Sequence, residues 1–320
     1  LSLPNQPLEY YATNKALTRE QGSQAIVQQT VDNLFATLTP YIASIDPLKP
    51  NQTLYDWLIR PAEAKLAKNG IKTLVFVLDG ALRGIPVAAL HDGQQYLIEK
   101  YNVALTPGLQ LFNSQTVASN PLNVLVGGLT EARQGFAALP GVRQEVDQIA
   151  NSFSAEVLLD SNFTRDRLEN QVQTQNFPIV HLATHGQFSS QADKTFLITW
   201  DKKINVKNLD QLLKERDKIT QNPIELLILS ACQTATGDKR AALGLAGVAV
   251  RSGARSTLAT LWSIQDQSTA DFMTEFYQAI NQPNVSKAQA LRQAQLSLLH
   301  SPQYQNPYYW APFVLVGNWL

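Results

Sequence analysis

The sequence predicts an α/β fold around a parallel sheet, and three observations carry that expectation. Four short apolar runs, LNVLVGG, AEVLLD, PIVHLATHG and IELLILSAC, follow one another with helical stretches between them. Within them apolar residues come in continuous blocks rather than at alternate positions, as in strands covered on both faces. Each run then gives way to small or polar residues of the kind that end strands and open loops.

The elements follow in order. Residues 23–39, SQAIVQQTVDNLFATLT, place Ile26, Val27, Thr30, Leu34 and Leu38 on one helical stripe, and LYDWLIRPAEAKLAKNG reads as a second helix stopping at Gly70. From Lys72 the period changes. TLVFVLD reads as a strand, DGALRGIP as a turn and QYLIEKYNVALTP as an alternating strand, so a hairpin or a strand pair is expected. After a joint near 114–121 the four apolar runs alternate with the helices LPGVRQEVDQIANSF and TRDRLENQVQ. A polar hairpin and helix are inserted around TFLITWDKKINVKNLDQLLKERD. The remainder supplies a helix GLAGVAVRSGA closed by Gly253, a strand STLATLW, helices DQSTADFMTEFYQAIN and SKAQALRQAQLSLL, and a last strand FVLVGN. The expected divisions are a helical N-terminal segment over 1–70, a strand-bearing part over 71–120 and the α/β core over 121–320.

Composition narrows the function classes. The chain has 320 residues, 44% hydrophobic and 16% charged, which is ordinary for a globular protein with a sizeable core. Lys plus Arg and Asp plus Glu are equal at 26 each, so no basic excess points to nucleic acid or to a membrane surface. A single cysteine forms no internal disulfide and fits a reducing, cytoplasmic setting. No apolar stretch has the length of a membrane span, and the first residues lack a signal-peptide pattern. The chain starts at Leu1 and its only methionine is Met273, so it is expected to be a piece of a longer protein.

In a parallel α/β sheet the crevice beyond the strands' carboxyl ends carries the chemistry. Two run ends stand out there: IVHLATHG delivers His185 and ELLILSAC delivers Cys232. A thiol is mostly protonated at neutral pH, so a nucleophilic cysteine needs a neighbouring imidazole. The N–H groups of Gly186 and Cys232 are the natural donors for an oxyanion. A lone cysteine ending an apolar strand is also a common core filler. The histidine-glycine pair at a second strand end favours the nucleophile. His181, inside its strand, reads as a hydrogen-bonded structural residue, and HLATH lacks the glutamate of a zinc-binding HExxH helix. No metal or cofactor site is expected: there is no phosphate loop, no GxSxG elbow, and Gly127-Gly128 lacks the third glycine of a dinucleotide fingerprint.

The segments HLATHG, LILSACQTATG, GLAGVAVRSGARSTLATLWSIQDQST and YYWAPFVLVG, in that order, resemble the CHAT family of caspase-like, separase-related cysteine peptidases. LDGALRGIPVAAL followed by YLIEKYNV resembles the same family's N-terminal portion, so the likeness spans roughly 70–320. It implies a caspase-hemoglobinase fold, a mostly parallel sheet flanked by helices, with His185 and Cys232 as a catalytic dyad. It also implies that LWSIQDQ lines the substrate groove, with Trp262 on its wall and Asp266 able to meet a basic P1 side chain. Asp266 also suits a helix N-cap. Asp79 is a second acidic candidate, though a turn explains it well. Lys239 and Arg240, in the loop after Cys232, would make a self-cleavage site for an enzyme of basic specificity.

The expected function is therefore a cysteine endopeptidase domain acting on a protein or peptide partner and regulated through upstream modules such as TPR repeats. The alternative is a noncatalytic domain that binds a peptide in the same groove. A redox-sensing thiol ranks below both, because the chain has no resolving cysteine.

Overall fold

The structure is a computed structural model. It describes residues 1–3, 6–11, 22–38, 46, 48–108, 123–188, 194–220, 222–230, 233–234, 247, 249–250, 252–264 and 266–320, with the backbone alone at 22, 23, 188, 217–220, 233, 234 and 266.

The N-terminal helices are α1 (Gly22–Leu38), α2 (Lys49–Leu58) and α3 (Glu63–Lys68). Of the expected stripe of α1, Leu34 and Leu38 face the core together with Val31, while Val27 and Thr30 are half-buried and Ile26 is exposed. The expected second helix is broken in two. Pro61 has no N–H to give and stands in a 3-10 turn, Arg60–Ala62, between α2 and α3. Lys100 ties this segment down. Its ammonium donates to the Tyr55 hydroxyl at 3.0 Å, Glu63 Oε1 at 2.5 Å and Asp92 Oδ2 at 3.0 Å. Leu34, Leu54 and Tyr55 belong to the same hydrophobic core as the strands, so the helices are part of the packed body.

Strand β1 (Thr73–Phe76) pairs in parallel with β2 (Asn102–Leu105). Between them, where an extended run was expected at 96–101, one helical turn α4 (Leu97–Lys100) forms. Glu99 Oε2 accepts the Tyr96 N–H at 2.6 Å and so starts a helix, and Leu97 and Ile98 are both buried, which imitates a strand in the sequence.

The core follows the expected alternation: β3 (Asn123–Gly128), α5 (Gly141–Ser152), β4 (Ser154–Leu159), α6 (Arg165–Thr174) and β5 (Ile179–Ala183). The insertion forms β6 (Gly186–Phe188), β7 (Phe196–Ile198), β8 (Lys203–Asn205) and α7 (Val206–Thr220). Then come β9 (Leu226–Leu229), β10 (Gln233–Thr234), β11 (Ser256–Thr260), α8 (Asp266–Ile280), α9 (Lys287–His300), α10 (Pro307–Trp310) and β12 (Phe313–Gly317). The helix expected over 243–253 is described only at 247, 249 and 250. Its expected stop, Gly253, has φ +124°, a conformation that favours glycine.

Eight strands form one sheet in the order β1-β2-β12-β11-β9-β5-β3-β4, and β10-β6-β7-β8 form a second, smaller one. The large sheet is parallel except where β12 pairs antiparallel to β11. Strands β11, β9, β5, β3 and β4 therefore share one direction, and β12, β2 and β1 run the other way.

Side-chain alternation sorts the helices onto two faces. Val180 and Leu182 pack with Leu168 and Val172 of α6 and with Leu209 and Leu213 of α7, whereas His181 between them faces α5 and α8. The glycine pair at the end of β3 belongs to this packing. A Cβ on Gly127 would lie 2.3 Å from the Phe163 ring, and one on Gly128 would lie 2.9 Å from Val142. Buried Arg216 of α7 fixes the approach to β5 by donating to the carbonyls of Val172, Gln175 and Phe177. Among the described residues no helix is long and apolar enough to cross a membrane.

Candidate catalytic site

His185 leaves the sheet at the carboxyl end of β5, and three backbone ties fix its position. Thr184 Oγ1 donates to the Ile198 carbonyl at 2.8 Å, the Ile198 N–H donates to the His185 carbonyl at 3.0 Å, and Gly186 begins β6 directly after it. The imidazole is half-exposed. Its Nε2 lies 2.7 Å from the Ala137 carbonyl oxygen, and its ring stacks on Phe136 at 4.9 Å. A carbonyl only accepts, so Nε2 carries the proton and Nδ1 is left with its lone pair. Among the described residues Nδ1 has no hydrogen-bond partner, as a general base requires.

The Ala137 carbonyl is delivered by a built loop. Arg133 and Phe136 exchange backbone hydrogen bonds of 3.1 and 2.8 Å around Gln134 (φ 50°) and Gly135 (φ 85°), a two-residue turn with both central residues left-handed. Arg133 lies over the Trp200 ring at 3.7 Å and donates Nε–H to the Trp200 carbonyl, while the Gln134 amide donates to the Thr199 carbonyl at 2.7 Å. At the loop's base Asp160 Oδ1 accepts the Thr130 N–H and Oδ2 the Thr130 hydroxyl. Sequence reasoning missed this loop. Its signal, RQGF, is short, and it has glutamine where the usual Asn-Gly pair has asparagine.

Cys232 lies outside the described residues, as do Lys239 and Arg240. The described residues nearest to Cys232 are Ser230, two positions before it, and the backbone of Gln233, directly after it. The Ser230 N–H donates to the Leu182 carbonyl of β5 at 3.1 Å, and Gln233 stands opposite Gln187 of β6 in parallel register. His185 lies in the chain between those two partners.

Trp262 follows β11 on the same sheet edge as His185. Its Nε1–H donates to the Tyr308 carbonyl at 3.0 Å, its ring stacks near Tyr308, and the Phe35 ring of α1 meets it edge-on at 6.2 Å. Asp266 is the first residue of α8. Asp79 is not brought to this edge. It follows β1, which runs opposite to β5, and its exposed carboxylate pairs with Arg83 at 2.9 Å.

His181, four residues before His185, is fully buried. Its Nδ1 is 2.9 Å from the Tyr277 hydroxyl and its Nε2 is 2.9 Å from Glu145 Oε1. The second contact lies off the N–H direction, so it is an ion-pair distance rather than an aligned hydrogen bond. Burial, and then the Glu145 charge, push the Tyr277 hydroxyl well above its usual range and hold it as a neutral donor. Among the described residues no His, Cys, Asp and Glu side chains are grouped to hold a metal ion.

The CHAT domain family profile matches residues 48–318. The chain belongs to the CHAT domain family. That match begins upstream of the motifs that suggest it and takes in α2 and α3. The CHAT chain is similar in structure to gingipain R (RgpB), an Arg-specific cysteine proteinase, with a TM-score of 0.52 and 10% identity over 93% of this chain and 75% of that one. A complex of the pro- and mature domains of Porphyromonas gingivalis RgpB gives a TM-score of 0.51 at 10% identity, covering 93% and 77%. Saccharomyces cerevisiae separase, in its complex with securin, gives 0.48 at 16% identity, covering 90% of this chain and 20% of that one. No curated protein sequence matches the chain. The CHAT domain thus has a caspase-hemoglobinase-like fold, a mostly parallel sheet with flanking helices.

Proposed function

We propose that this CHAT domain is a cysteine endopeptidase in which Cys232 and His185 hydrolyse peptide bonds of a protein partner. The observation that carries the reading is the state of His185. Its Nε2–H is held by the Ala137 carbonyl and its Nδ1 is left as a base, on the sheet edge where Ser230, two residues before Cys232, is tied to β5 and Gln233, directly after it, pairs with β6.

His185 Nδ1 takes the thiol proton and the sulfur attacks the scissile carbonyl carbon. The carbonyl oxygen becomes an oxyanion, for which the N–H groups of Gly186 and Cys232 are the donors. As the C–N bond breaks, the imidazolium returns the proton to the leaving amine and a thioester remains. A water molecule, deprotonated by His185, attacks the thioester to release the acid and regenerate the thiol. The ring stacking of Phe136 keeps the imidazole oriented through both proton transfers.

In this reading Trp262 lines the substrate groove and Asp266, opening α8, meets a basic P1 side chain. Lys239-Arg240 is then a site of self-cleavage, upstream modules regulate access, and a reducing compartment keeps the thiol free. The test is labelling by a thiol-directed activity probe, together with cleavage profiling of a proteome by wild type and Cys232→Ala. Labelling lost in His185→Ala, with new cleavages absent from Cys232→Ala, is expected. Equal labelling of wild type and His185→Ala, with no Cys232-dependent cleavage, would leave a noncatalytic peptide-binding domain.

A further inference from the structure

Helix α5 buries Val142, Glu145, Val146 and Ile149, the spacing of a core-facing stripe with a carboxylate in it. Glu145 is only 3% exposed, and taking a carboxylate out of water costs several kcal/mol that an apolar side chain would not. Glu145 makes one contact there that a leucine cannot. Its Oε2 accepts the Ser230 hydroxyl at 3.3 Å, while its Oε1 faces His181, which is held in turn by Tyr277. Tyr277, held as a neutral donor, gives its O–H to Nδ1 of His181, which leaves the proton on Nε2, 2.9 Å from the carboxylate.

Ser230 is the first residue beyond β9 and stands two positions before Cys232. The chain of contacts thus runs from α8 through β5 and α5 to the end of β9. Helix α5, which carries Glu145, begins four residues after Ala137, whose carbonyl holds His185.

We propose that Glu145, held by His181 and Tyr277, is the positioning residue for the nucleophile, acting through the Ser230 hydroxyl. This rests on the peptidase reading, so the experiment separates the two. The second-order rate of Cys232 alkylation by iodoacetamide is followed by mass spectrometry in wild type, His185→Ala, Ser230→Ala, Ser230→Thr, Glu145→Gln and the Glu145→Gln/Ser230→Ala double variant.

Ser230→Ala and Glu145→Gln are each expected to slow alkylation by about tenfold, the scale of a sub-ångström misplacement. The double variant should be no slower than the slower single, since both act through one path. Ser230→Thr, which restores a hydroxyl, should recover most of the rate, a result that mere loss of packing does not give. Wild-type rates in folded Ser230→Ala, or effects that multiply in the double variant, overturn this inference alone. A wild type no faster than His185→Ala overturns the dyad reading, and this inference with it.

Discussion

His181 and His185 stand four residues apart in one motif, and the protein uses them in opposite ways. His181 lies inside the sheet with both nitrogens facing partners and no exposed surface, so its imidazole has no free lone pair to offer a substrate. His185 lies two residues past the strand, with one nitrogen fixed and the other open among the described residues. The difference is set by where the strand stops. Inside β5 side chains alternate into packed helices, and beyond Ala183 the chain enters the crevice.

Alanine at each position sharpens that contrast most. On the proposed peptidase reading, His185→Ala should lower turnover by roughly 10³-fold or more while leaving the melting temperature within a few degrees of wild type. His181→Ala should do the reverse first. It strands the Glu145 carboxylate in the core and should cost about 3–5 kcal/mol of stability, read by denaturant unfolding. If His181→Ala melted like wild type and only turnover fell, the assignment of roles would be wrong.

Much of the fold was legible in the sequence because its strands are buried on both faces and read as unbroken apolar runs. The order of elements from β3 to β12 follows the apolar runs and helical periods closely. What was hidden depends on contacts distant in sequence. The α4 turn was masked by two buried residues in succession, and α1 buries Val31 while leaving Ile26 exposed. At the candidate site the motif histidine was visible, since a strand end followed by glycine marks itself. The Ala137 carbonyl was not, because a backbone acceptor has no residue type to betray it. Glu145 looked like an ordinary polar residue of an amphipathic helix until β5 placed a histidine opposite it.

Lys287 extends the comparison to a buried group whose charge is not met. It is 1% exposed, and among the described residues its ammonium has no hydrogen-bond partner. Burial lowers its pKa from the ordinary 10.5 to about 8, with Glu225 opposing and Arg255 reinforcing the shift. Between about pH 8 and 10.5 the unfolded chain therefore binds more protons than the folded one, so stability rises with pH across that window. Lys287→Met should raise stability at pH 7 by up to roughly 3 kcal/mol and flatten the alkaline rise. A variant whose unfolding free energy kept the same slope from pH 8 to 10 would assign the shift elsewhere.

Gly135 asks whether the anchor of His185 can be loosened without touching it. A Cβ there meets nothing within 4 Å, so Gly135→Ala introduces strain from φ +85° alone. The cost should be about 1–2 kcal/mol, confined to the turn that presents Phe136 and Ala137. Turnover should fall several-fold with a KM near that of wild type, because the base is misoriented and the groove is not. Gly135→Asn, which tolerates left-handed backbone, should recover most of the loss, and equal damage from both substitutions would point to a side-chain clash instead.

The smallest effect separates the groove from the dyad. Phe35 belongs to the N-terminal helix α1, yet its ring meets Trp262 edge-on at 6.2 Å on the crevice side of β11. An edge-to-face aromatic pair contributes about 0.5–1.5 kcal/mol beyond its buried area. Trp262 keeps its hydrogen bond to the Tyr308 carbonyl and its stacking partner when Phe35 is removed, so the indole should tilt rather than leave. Phe35→Leu should then raise KM about threefold at unchanged kcat, the signature of lost uniform binding. A fall in kcat with KM unchanged would mean that α1 reaches the reacting atoms, and the N-terminal helix would have to be counted among the elements that orient the dyad.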